Sequence, residues 1–305
     1  AAENGAKVAV LGKGNPSEGK DYINVTGQEI GHFNSQWLID QGYGPYDLGD
    51  IVTEFCKRGG NRVNAEIIRQ YVENCGEMFD HFISLIPADS HMLQMGDKGE
   101  LGLHIAYGVE PSQYPIEKSG YKTWAGDAMF WGKYSDEAQM GSAANSNLSE
   151  AQSYSQKRAE ELDATWYFGT AAVVCEQDDE GTVTGVIAKN SDGYVRYNAS
   201  KGVILATGDM GQNSTMIWAL MGEASEWAAR QGVERNSLTT DTANDGSGLL
   251  MGCWAGGYIE PGPRPAMTMG GGGGGPWGTA PFLWINSEGK RYMNEGMTCG
   301  TFALS

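Results

Sequence analysis

Two glycine turns contain the residues of this sequence best suited to hold a ligand. The first is Ala206-Thr207-Gly208, which closes the apolar run Val203–Ala206, and the second is Asp245-Gly246. An apolar run that ends in Ala-Thr-Gly is typical of a buried strand stopping at a tight turn. Because glycine has no Cβ, such a turn lets peptide groups approach a ligand where a side chain would collide. The sequence therefore predicts a ligand site built largely from backbone groups.

Metal and disulfide chemistry find little support in the sequence. The four histidines do not form a metal-ligand spacing, and the five cysteines are scattered without a C-x-x-C pair. Their odd number and wide spacing argue against both a zinc site and a disulfide framework. We expect buried free thiols and no bound metal.

Composition narrows the classes of partner. The chain has 21 basic and 38 acidic side chains among 305 residues, which gives a net charge of −17. A strongly negative protein repels nucleic acid and anionic membrane surfaces, so neither is expected as a partner. No apolar run approaches the roughly 18 residues that a membrane-spanning helix needs. A small-molecule substrate is the expected partner, and an anionic one would need a locally positive site.

The elements that must position the glycine turns follow a pattern of helix, glycine and apolar strand. Ala1–Asn4 followed by Gly5 predicts a last helical turn, and Ala6–Leu11 predicts a buried strand of a parallel sheet. This is the back half of a βαβ unit; the front half, with its G-x-G-x-x-G, is absent from the sequence. Further predicted strands are Ala171–Cys175, Thr182–Lys189 and Tyr194–Tyr197, which form a meander, and then Val203–Ala206 and Phe282–Ile285. Predicted helices are Asn64–Phe82, Ser149–Leu162, Thr215–Ala229 and Gly246–Ala255, whereas residues 14–49 and 87–132 are predicted to be mostly irregular.

Four segments, in order, resemble the flavoprotein family of fumarate reductases, urocanate reductases and 3-oxosteroid dehydrogenases. They are Ala1–Lys13, the meander that ends at Gly208, Thr242–Gly257 and Leu283–Glu295. The resemblance implies an α/β fold, a three-layer Rossmann-like FAD-binding domain with a β-meander, over residues 1–265. It implies that residues 266–305 begin a capping domain, and that the chain is a piece of a longer protein truncated at both ends.

The same resemblance implies FAD as the cofactor and a set of residues that contact it. Ala206, Thr207 and Gly208 match the family's Ala-Thr-Gly, where the backbone passes close to the pyrophosphate and ribose. Asp245 and Gly246 match its Gly-Asp-Gly turn near the flavin, with Asn244 in place of the first glycine. Gly31 falls in a loop against the isoalloxazine ring, Ala172 where a strand meets adenine, and Lys13 at the end of the first matched segment. His32, next to that loop, is a further candidate for contact with a ring or a substrate.

Several positions depart from the family's pattern. Gly12 stands where an acidic residue normally accepts hydrogen bonds from the adenosine ribose, and Asp209 replaces the second glycine of Ala-Thr-Gly-Gly. A carboxylate at Asp209 would repel a cofactor phosphate at close range. The arginines of fumarate chemistry have no counterpart, since Arg264 is the only basic residue between Arg235 and Lys290.

The expected function is that of a fragment of a flavin-dependent oxidoreductase. It would transfer a hydride between FAD and an activated carbon–carbon double bond of a substrate other than fumarate, with an electron-donor protein as a candidate partner. The alternatives are a degenerate, non-catalytic domain or binding module that does not hold FAD, and a piece without independent activity. Catalytic residues do not follow from the sequence. The sequence leaves open whether the protein is cytoplasmic or exported from a bacterial cell.

Overall fold

The computed structural model of the chain describes residues 1–14, 29–59, 61–87, 91–95, 124, 126–132, 148–239, 244–262, 264, 283 and 285–291. The strands are β1 (Ala9–Leu11), β2 (Glu29–Gly31), β3 (His91–Met95), β4 (Asp127–Gly132), β5 (Thr165–Tyr167), β6 (Ala171–Gln177), β7 (Val183–Asn190) and β8 (Gly193–Asn198). The helices are α1 (Gln36–Asp40), α2 (Leu48–Arg58), α3 (Ala65–Ser84), α4 (Leu148–Glu161), α5 (Ser214–Leu220), α6 (Gly222–Arg230) and α7 (Ser247–Trp254). Among these described helices, none is long and apolar enough to span a bilayer.

The described residues fall into two compact units. The first is drawn from Ala1–Ile23 and Leu162–Met267, and the second from Asn24–Glu161 and Thr268–Ala303. Most of the predicted capping segment, 266–305, lies outside the described residues, including two positions of the predicted strand Phe282–Ile285. The domain boundary at 265 therefore stays a prediction.

The first unit contains a short parallel sheet and an antiparallel one. Strand β1 pairs in parallel with β5, a strand that the sequence pattern had not indicated. Strands β6, β7 and β8 form the predicted meander, in that order. Helix α7 packs on β6. The chain enters β1 through a short 3-10 turn, Ala2–Asn4, which Gly5 ends in the left-handed conformation with φ 76°, as predicted.

The predicted strand Val203–Ala206 is wrong. These residues have no strand assignment, and Ile204 is 84% exposed. A strand exists only where a neighbouring strand bonds its N–H and C=O groups. The apolar pattern indicates the conformational preference of these residues, but among the described residues no strand bonds their backbone.

The predicted helix Thr215–Ala229 is interrupted at Met221. That residue has φ −114° and ψ 67°, so helix α5 ends there and helix α6 begins at Gly222. The hydroxyl of Ser225 donates to Met221 O at 2.9 Å and to Ile217 O at 3.2 Å. Both carbonyls also accept backbone N–H groups, Ile217 O from Met221 N and Met221 O from Ser225 N, so the hydroxyl adds a further donor where the two helices meet.

The second unit has an antiparallel sheet of order β2–β4–β3, with helices α1 to α4. The prediction of irregular structure over residues 14–49 and 87–132 was wrong for these strands and for α1. Helix α3 was predicted, and Asn64 caps it by accepting from Glu66 N and Ile67 N. Its apolar face supplies two buried clusters: Val72 packs with Ile51 and Val52 of α2, and Phe79 packs with Leu148 and Ala151 of α4.

Candidate functional site

The two glycine turns singled out in the sequence meet in the first unit. A Cβ added at Gly248, in the first turn of α7, would collide with the Thr207 side chain. Gly208 has φ 73°, and a Cβ there would collide with the side-chain amide of Asn244. Glycine is therefore required at both positions by contact, and at Gly208 also by backbone conformation. The Ala206–Gly208 segment lies against the entrance of helix α7.

Backbone hydrogen bonds fix the two turns to each other. Gly246 N donates to Asp209 O at 3.1 Å, and Gln212 N donates to Asn244 O at 2.7 Å. Gly246 itself is left-handed, with φ 75°, and is the N-cap of α7. Because glycine has no side chain, the N-cap residue itself places no acceptor on the N–H groups of the first turn of α7, which a ligand could bind.

The predicted site residues Lys13 and Asp245 form an ion pair that the sequence had not indicated. Lys13 Nζ lies 3.6 Å from Asp245 Oδ2, and both side chains are about half exposed. The other carboxylate oxygen, Oδ1, accepts from Ser247 N at 2.9 Å. Hydrogen bonds from Ser247, and then the Lys13 charge, lower the pKa of Asp245, so this carboxylate is ionised at neutral pH.

Lys13 follows the carboxyl end of β1, in a loop tied to the end of β5. Gly12 N donates to Tyr167 O, Thr170 N donates to Gly12 O, and Gly169 N donates to Gly14 O. In open α/β sheets, ligands bind beyond the carboxyl ends of parallel strands. The ammonium group of Lys13 is thus on the side of this small sheet where a ligand is expected.

Asp209, which the sequence suggested would repel a phosphate, has an internal role. Its Oδ1 accepts from Gly211 N at 2.9 Å, closing the turn that leads to helix α5. A local hydrogen bond of this kind is a common use of aspartate in turns. The carboxylate therefore stabilises the turn that carries Gly208.

Ala172, the predicted adenine contact, lies on β6 of the same unit. It is opposite Ala188 of β7, next to an irregularity in the register between Ala172 and Val174. Such a bulge leaves the extra residue, here Val173, outside the regular ladder. The region around Ala172 thus offers backbone groups that the sheet does not use.

Gly31 lies in the second unit, at the end of edge strand β2. Helix α3 holds this segment with side chains on one face: Tyr71 Oη donates to Gly31 O at 2.8 Å, and Phe33 N donates to Cys75 Sγ at 3.2 Å. One turn further, Asp80 accepts from Gln36 N at 2.6 Å and from Trp37 N at 3.1 Å. The spacing of about four residues places these α3 side chains in a row. Sequence analysis missed this support, because the pattern of α3 alone does not show which segment lies against it.

His32 is part of the same arrangement and is completely buried. Its ring stacks on Phe79 at a centroid distance of 3.7 Å and meets the edge of Trp37 at 5.8 Å. Neither ring nitrogen has a hydrogen-bond partner in the part of the chain that the structure describes. Burial lowers the pKa of His32 to about 4, the nearby Asp80 charge acting in the opposite direction. A contact of His32 with a flavin ring or a substrate stays a prediction. In the described structure its ring packs against Phe79 and Trp37.

The first unit therefore brings together six predicted site residues: Lys13, Ala206, Thr207, Gly208, Asp245 and Gly246. Bare glycine turns, a helix N-terminus whose N-cap residue is glycine and an ammonium group suit a ligand that carries phosphate. Among the described residues, no group of three or more His, Cys, Asp or Glu side chains is arranged to hold a metal ion.

Comparison with solved structures identifies proteins of similar fold. A 3-ketosteroid-Δ4-(5α)-dehydrogenase from Rhodococcus jostii RHA1, solved with 4-androstene-3,17-dione, matches 84% of this chain and 50% of its own at 18% identity, with a TM-score of 0.58. The open conformation of a flavocytochrome c3 fumarate reductase matches 82% of this chain and 40% of its own at 15% identity, with a TM-score of 0.52. This chain thus spans half or less of the length of these proteins, and at such identities the likeness shows the fold. No curated protein sequence matches the chain.

A family model described as an FAD binding domain matches residues 1–303, nearly the whole sequence. This match confirms the resemblance stated from the sequence, and together with the solved structures it confirms the α/β, FAD-binding class of fold. The glycine turns and Lys13 fit a cofactor that carries a pyrophosphate. The chain belongs to the FAD binding domain family, and its cofactor is FAD.

Proposed function

We propose that this chain is the cofactor-binding part of an oxidoreductase that acts on CH–CH groups. FAD supplies a group able to accept or donate a hydride, and the protein binds and orients it. Two proteins of similar fold support the proposal, since one is a ketosteroid dehydrogenase and the other a fumarate reductase. Reduction or reoxidation of the flavin requires an electron donor or acceptor. We propose that a partner protein has this role.

The packing of Thr207 against Gly248 is the observation that carries the proposal. It joins the Ala206–Gly208 turn to the N-terminal turn of α7 without an intervening side chain. The family pattern sets Gly246 near the flavin, but because Gly246 is the N-cap of α7 we assign its backbone, with that of Thr207 and Gly208, to the pyrophosphate and ribose of FAD. Helix N-termini favour anionic groups through their unpaired N–H groups and their dipole.

Lys13 and Asp245 are assigned complementary roles at this turn. The ammonium group of Lys13 offsets phosphate charge, while the ionised carboxylate of Asp245 accepts hydrogen bonds from hydroxyl groups of the cofactor. The 3.6 Å pair limits repulsion between Asp245 and the phosphates. In a chain whose net charge is −17, a cation held at the turn is a clear electrostatic advantage for an anionic ligand.

The remaining assignments use backbone groups at two sheet positions. The irregular register beside Ala172 supports a contact between this part of β6 and adenine. The exposed edge of β2 at Gly31 supports a contact with the isoalloxazine ring. Both assignments rest on the family pattern.

The proposed substrate is not fumarate. A dicarboxylate requires cationic side chains to bind its two charges. Arg264, the lone basic residue between Arg235 and Lys290, donates from Nη1 to Leu220 O at 3.0 Å. Its guanidinium group thus anchors the chain to the end of helix α5, which supports a substrate that needs no such clamp.

Cofactor retention tests the proposal directly. The 305-residue chain is incubated with FAD, desalted, and its visible absorbance recorded, with Gly248→Ala and Gly222→Ala measured alongside. We expect flavin absorbance in the native chain and in Gly222→Ala, whose added methyl meets nothing within 4 Å. We expect none in Gly248→Ala, because the methyl group separates the two turns.

A colourless native chain would favour the alternative, a domain of this family that no longer holds FAD. If all three proteins retained FAD equally, the turn between Thr207 and α7 would not be the binding site. Either result would contradict the assignment of the glycine turns.

A further inference from the structure

The dipeptide Asp-Gly occurs twice in the sequence, at 192–193 and at 245–246, and both copies lie in the first unit. Aspartate followed by glycine has a specific reactivity. The glycine nitrogen can attack the carboxyl group of the preceding side chain, because glycine has no Cβ to obstruct the approach. The two copies have the same reacting atoms, so their surroundings decide which copy reacts.

Asp192 lies at the tip of the hairpin that joins β7 to β8. Asn190 and Gly193 form the last pair of the ladder, so Ser191 and Asp192 are the two residues of the loop. Favoured two-residue loops match the twist of their strands by a positive φ at one or both central residues. Neither Ser191 nor Asp192 has a positive φ, whereas Gly193 after them has φ 121°. The loop therefore matches the strand twist poorly, which favours local opening at this end of the hairpin.

The carboxylate of Asp192 is accessible and weakly held. The residue is exposed, and a Cβ added at Gly193 would meet nothing within 4 Å. Ser191 Oγ donates to Asp192 Oδ1 at 3.4 Å, which is long for a hydroxyl donor. Asp192 N donates to Asn190 Oδ1 at 2.9 Å, a hydrogen bond that does not involve the carboxylate. Cγ of Asp192 can thus approach Gly193 N once the last pair of the ladder opens.

Asp245, in contrast, is held at each of the atoms that would have to move. Gly246 N, the attacking atom, donates to Asp209 O at 3.1 Å. The carboxylate accepts from Ser247 N at 2.9 Å and pairs with Lys13 at 3.6 Å. Hydrogen bonds from Ser247, and then the Lys13 charge, also lower its pKa, so little of the carboxylic acid form is present at neutral pH. Because the hydroxyl of that form is the leaving group, reaction at this copy is disfavoured twice.

We propose that Asp192-Gly193 is a modification site of the folded protein, at which the aspartate isomerises to isoaspartate. Gly193 N bonds to Cγ of Asp192, and the proton of the nitrogen leaves with the carboxyl hydroxyl as water, giving a cyclic imide. Water then opens the imide. Where it cleaves the bond between Gly193 N and the backbone carbonyl carbon, the chain continues through Cγ and the turn gains one backbone atom. No oxidant, reductant or cofactor takes part, so the inference is independent of the proposed function.

The test follows both Asp-Gly copies in one sample. The 305-residue chain is incubated without FAD at neutral pH for several weeks, either folded in buffer or unfolded in guanidinium chloride. Digestion and tandem mass spectrometry with electron-transfer fragmentation then quantify isoaspartate at each copy. We expect the yield at position 192 to exceed that at position 245 about tenfold in the folded protein, and the two yields to be similar in the unfolded one. Asp192→Glu is the matched control, because its longer side chain disfavours ring closure, and it should form no product at this position.

Equal yields at the two copies of the folded protein would overturn the inference. A product at position 192 only in guanidinium chloride would overturn it as well, since the hairpin would then be closed. A preference for position 192 that persists unchanged in the unfolded chain would trace the difference to the neighbouring sequence and not to the fold. Deamidation of Asn4, which also precedes a glycine, or of Asn190 is distinguished because it changes the mass, whereas isomerisation does not. Circular dichroism at the end of the incubation confirms that the sample in buffer is still folded.

Discussion

The ammonium nitrogen of Lys13 lies 3.6 Å from Oδ2 of Asp245, although the two residues are more than 230 positions apart in the sequence. The pair joins the loop after β1 to the residue before Gly246, the N-cap of α7. Because both side chains are about half exposed, solvent screens the pair and its contribution to stability is small. Its interest is electrostatic: it places one positive charge at the turn assigned to the cofactor's pyrophosphate.

Replacement of Lys13 by alanine is expected to weaken FAD binding about tenfold at low salt, equivalent to about 1.4 kcal/mol. The variant loses a cation near the phosphates and leaves the Asp245 carboxylate uncompensated. The difference from the native chain should shrink as salt concentration rises, because salt screens exposed charges. Fluorescence titration with FAD at two ionic strengths measures both effects. Lys7→Ala, an exposed lysine just before β1, is the control; equal affinities of the two variants would contradict the role of Lys13.

Replacement of Gly208 by alanine is expected to destabilise the protein by about 2–3 kcal/mol. Two effects add: the left-handed backbone, with φ 73°, disfavours any residue with a Cβ, and the methyl group collides with Asn244. Gly5→Ala separates them, since Gly5 has φ 76° but nothing within 4 Å of an added Cβ. Urea unfolding should therefore show a loss of only about 1 kcal/mol for Gly5→Ala. Equal losses would mean that Asn244 moves aside and that contact plays no part.

Replacement of Gly248 by alanine is expected to push the Ala206–Gly208 segment away from helix α7. The added methyl group overlaps the hydroxyl, Cβ and methyl group of Thr207 together, so rotation of the threonine side chain cannot relieve the collision. We expect a destabilisation of about 1–3 kcal/mol, the range typical of overpacking. Differential scanning calorimetry measures it, with Gly222→Ala at the start of α6 as a helix-glycine control that has free space. A stability of Gly248→Ala equal to that of Gly222→Ala would show that the turn and the helix separate without cost.

The first unit could largely be predicted from the sequence, because its information is local. Period-two apolar patterns and short polar turns gave β6 to β8 within two residues, and glycine punctuation gave the Gly5 turn and the entrance to α7. The pattern failed at Val203–Ala206, where a strand depends on a bonded neighbour. It also failed at β5, whose three residues are too few to show a period.

Long-range contacts could not be predicted in either unit. Lys13 and Asp245 were each named as cofactor contacts from the family pattern, but no sequence rule pairs them. Likewise, Tyr71 contacts Gly31 only because helix α3 lies along the edge of β2. Side-chain pairs of this kind depend on tertiary packing, which a periodic pattern restricts to a face of a helix but does not resolve further.

The burial of His32 predicts a loss of stability on acidification. Its pKa in the folded protein is about 4, below the ordinary value of 6.5, because the neutral ring stacked on Phe79 has no partner for a charge. Between these values the unfolded chain binds more protons than the folded one. Stability due to this residue is therefore lost as pH falls from about 6.5 to about 4, and changes no further below that. At about 1.4 kcal/mol per pKa unit, the full loss is about 3 kcal/mol at most.

Urea unfolding of the native chain and of His32→Phe, each at pH 7 and pH 4.5, isolates this contribution. Phenylalanine retains the stacking on Phe79 but cannot be protonated, so its stability should fall less between the two pH values. Other groups, including Asp245 with its lowered pKa, destabilise both proteins on acidification and cancel in the comparison. If His32→Phe lost stability as steeply as the native chain, protonation of His32 would not be the cause of the loss. The imidazole packed between Phe79 and Trp37 would then not have the lowered pKa.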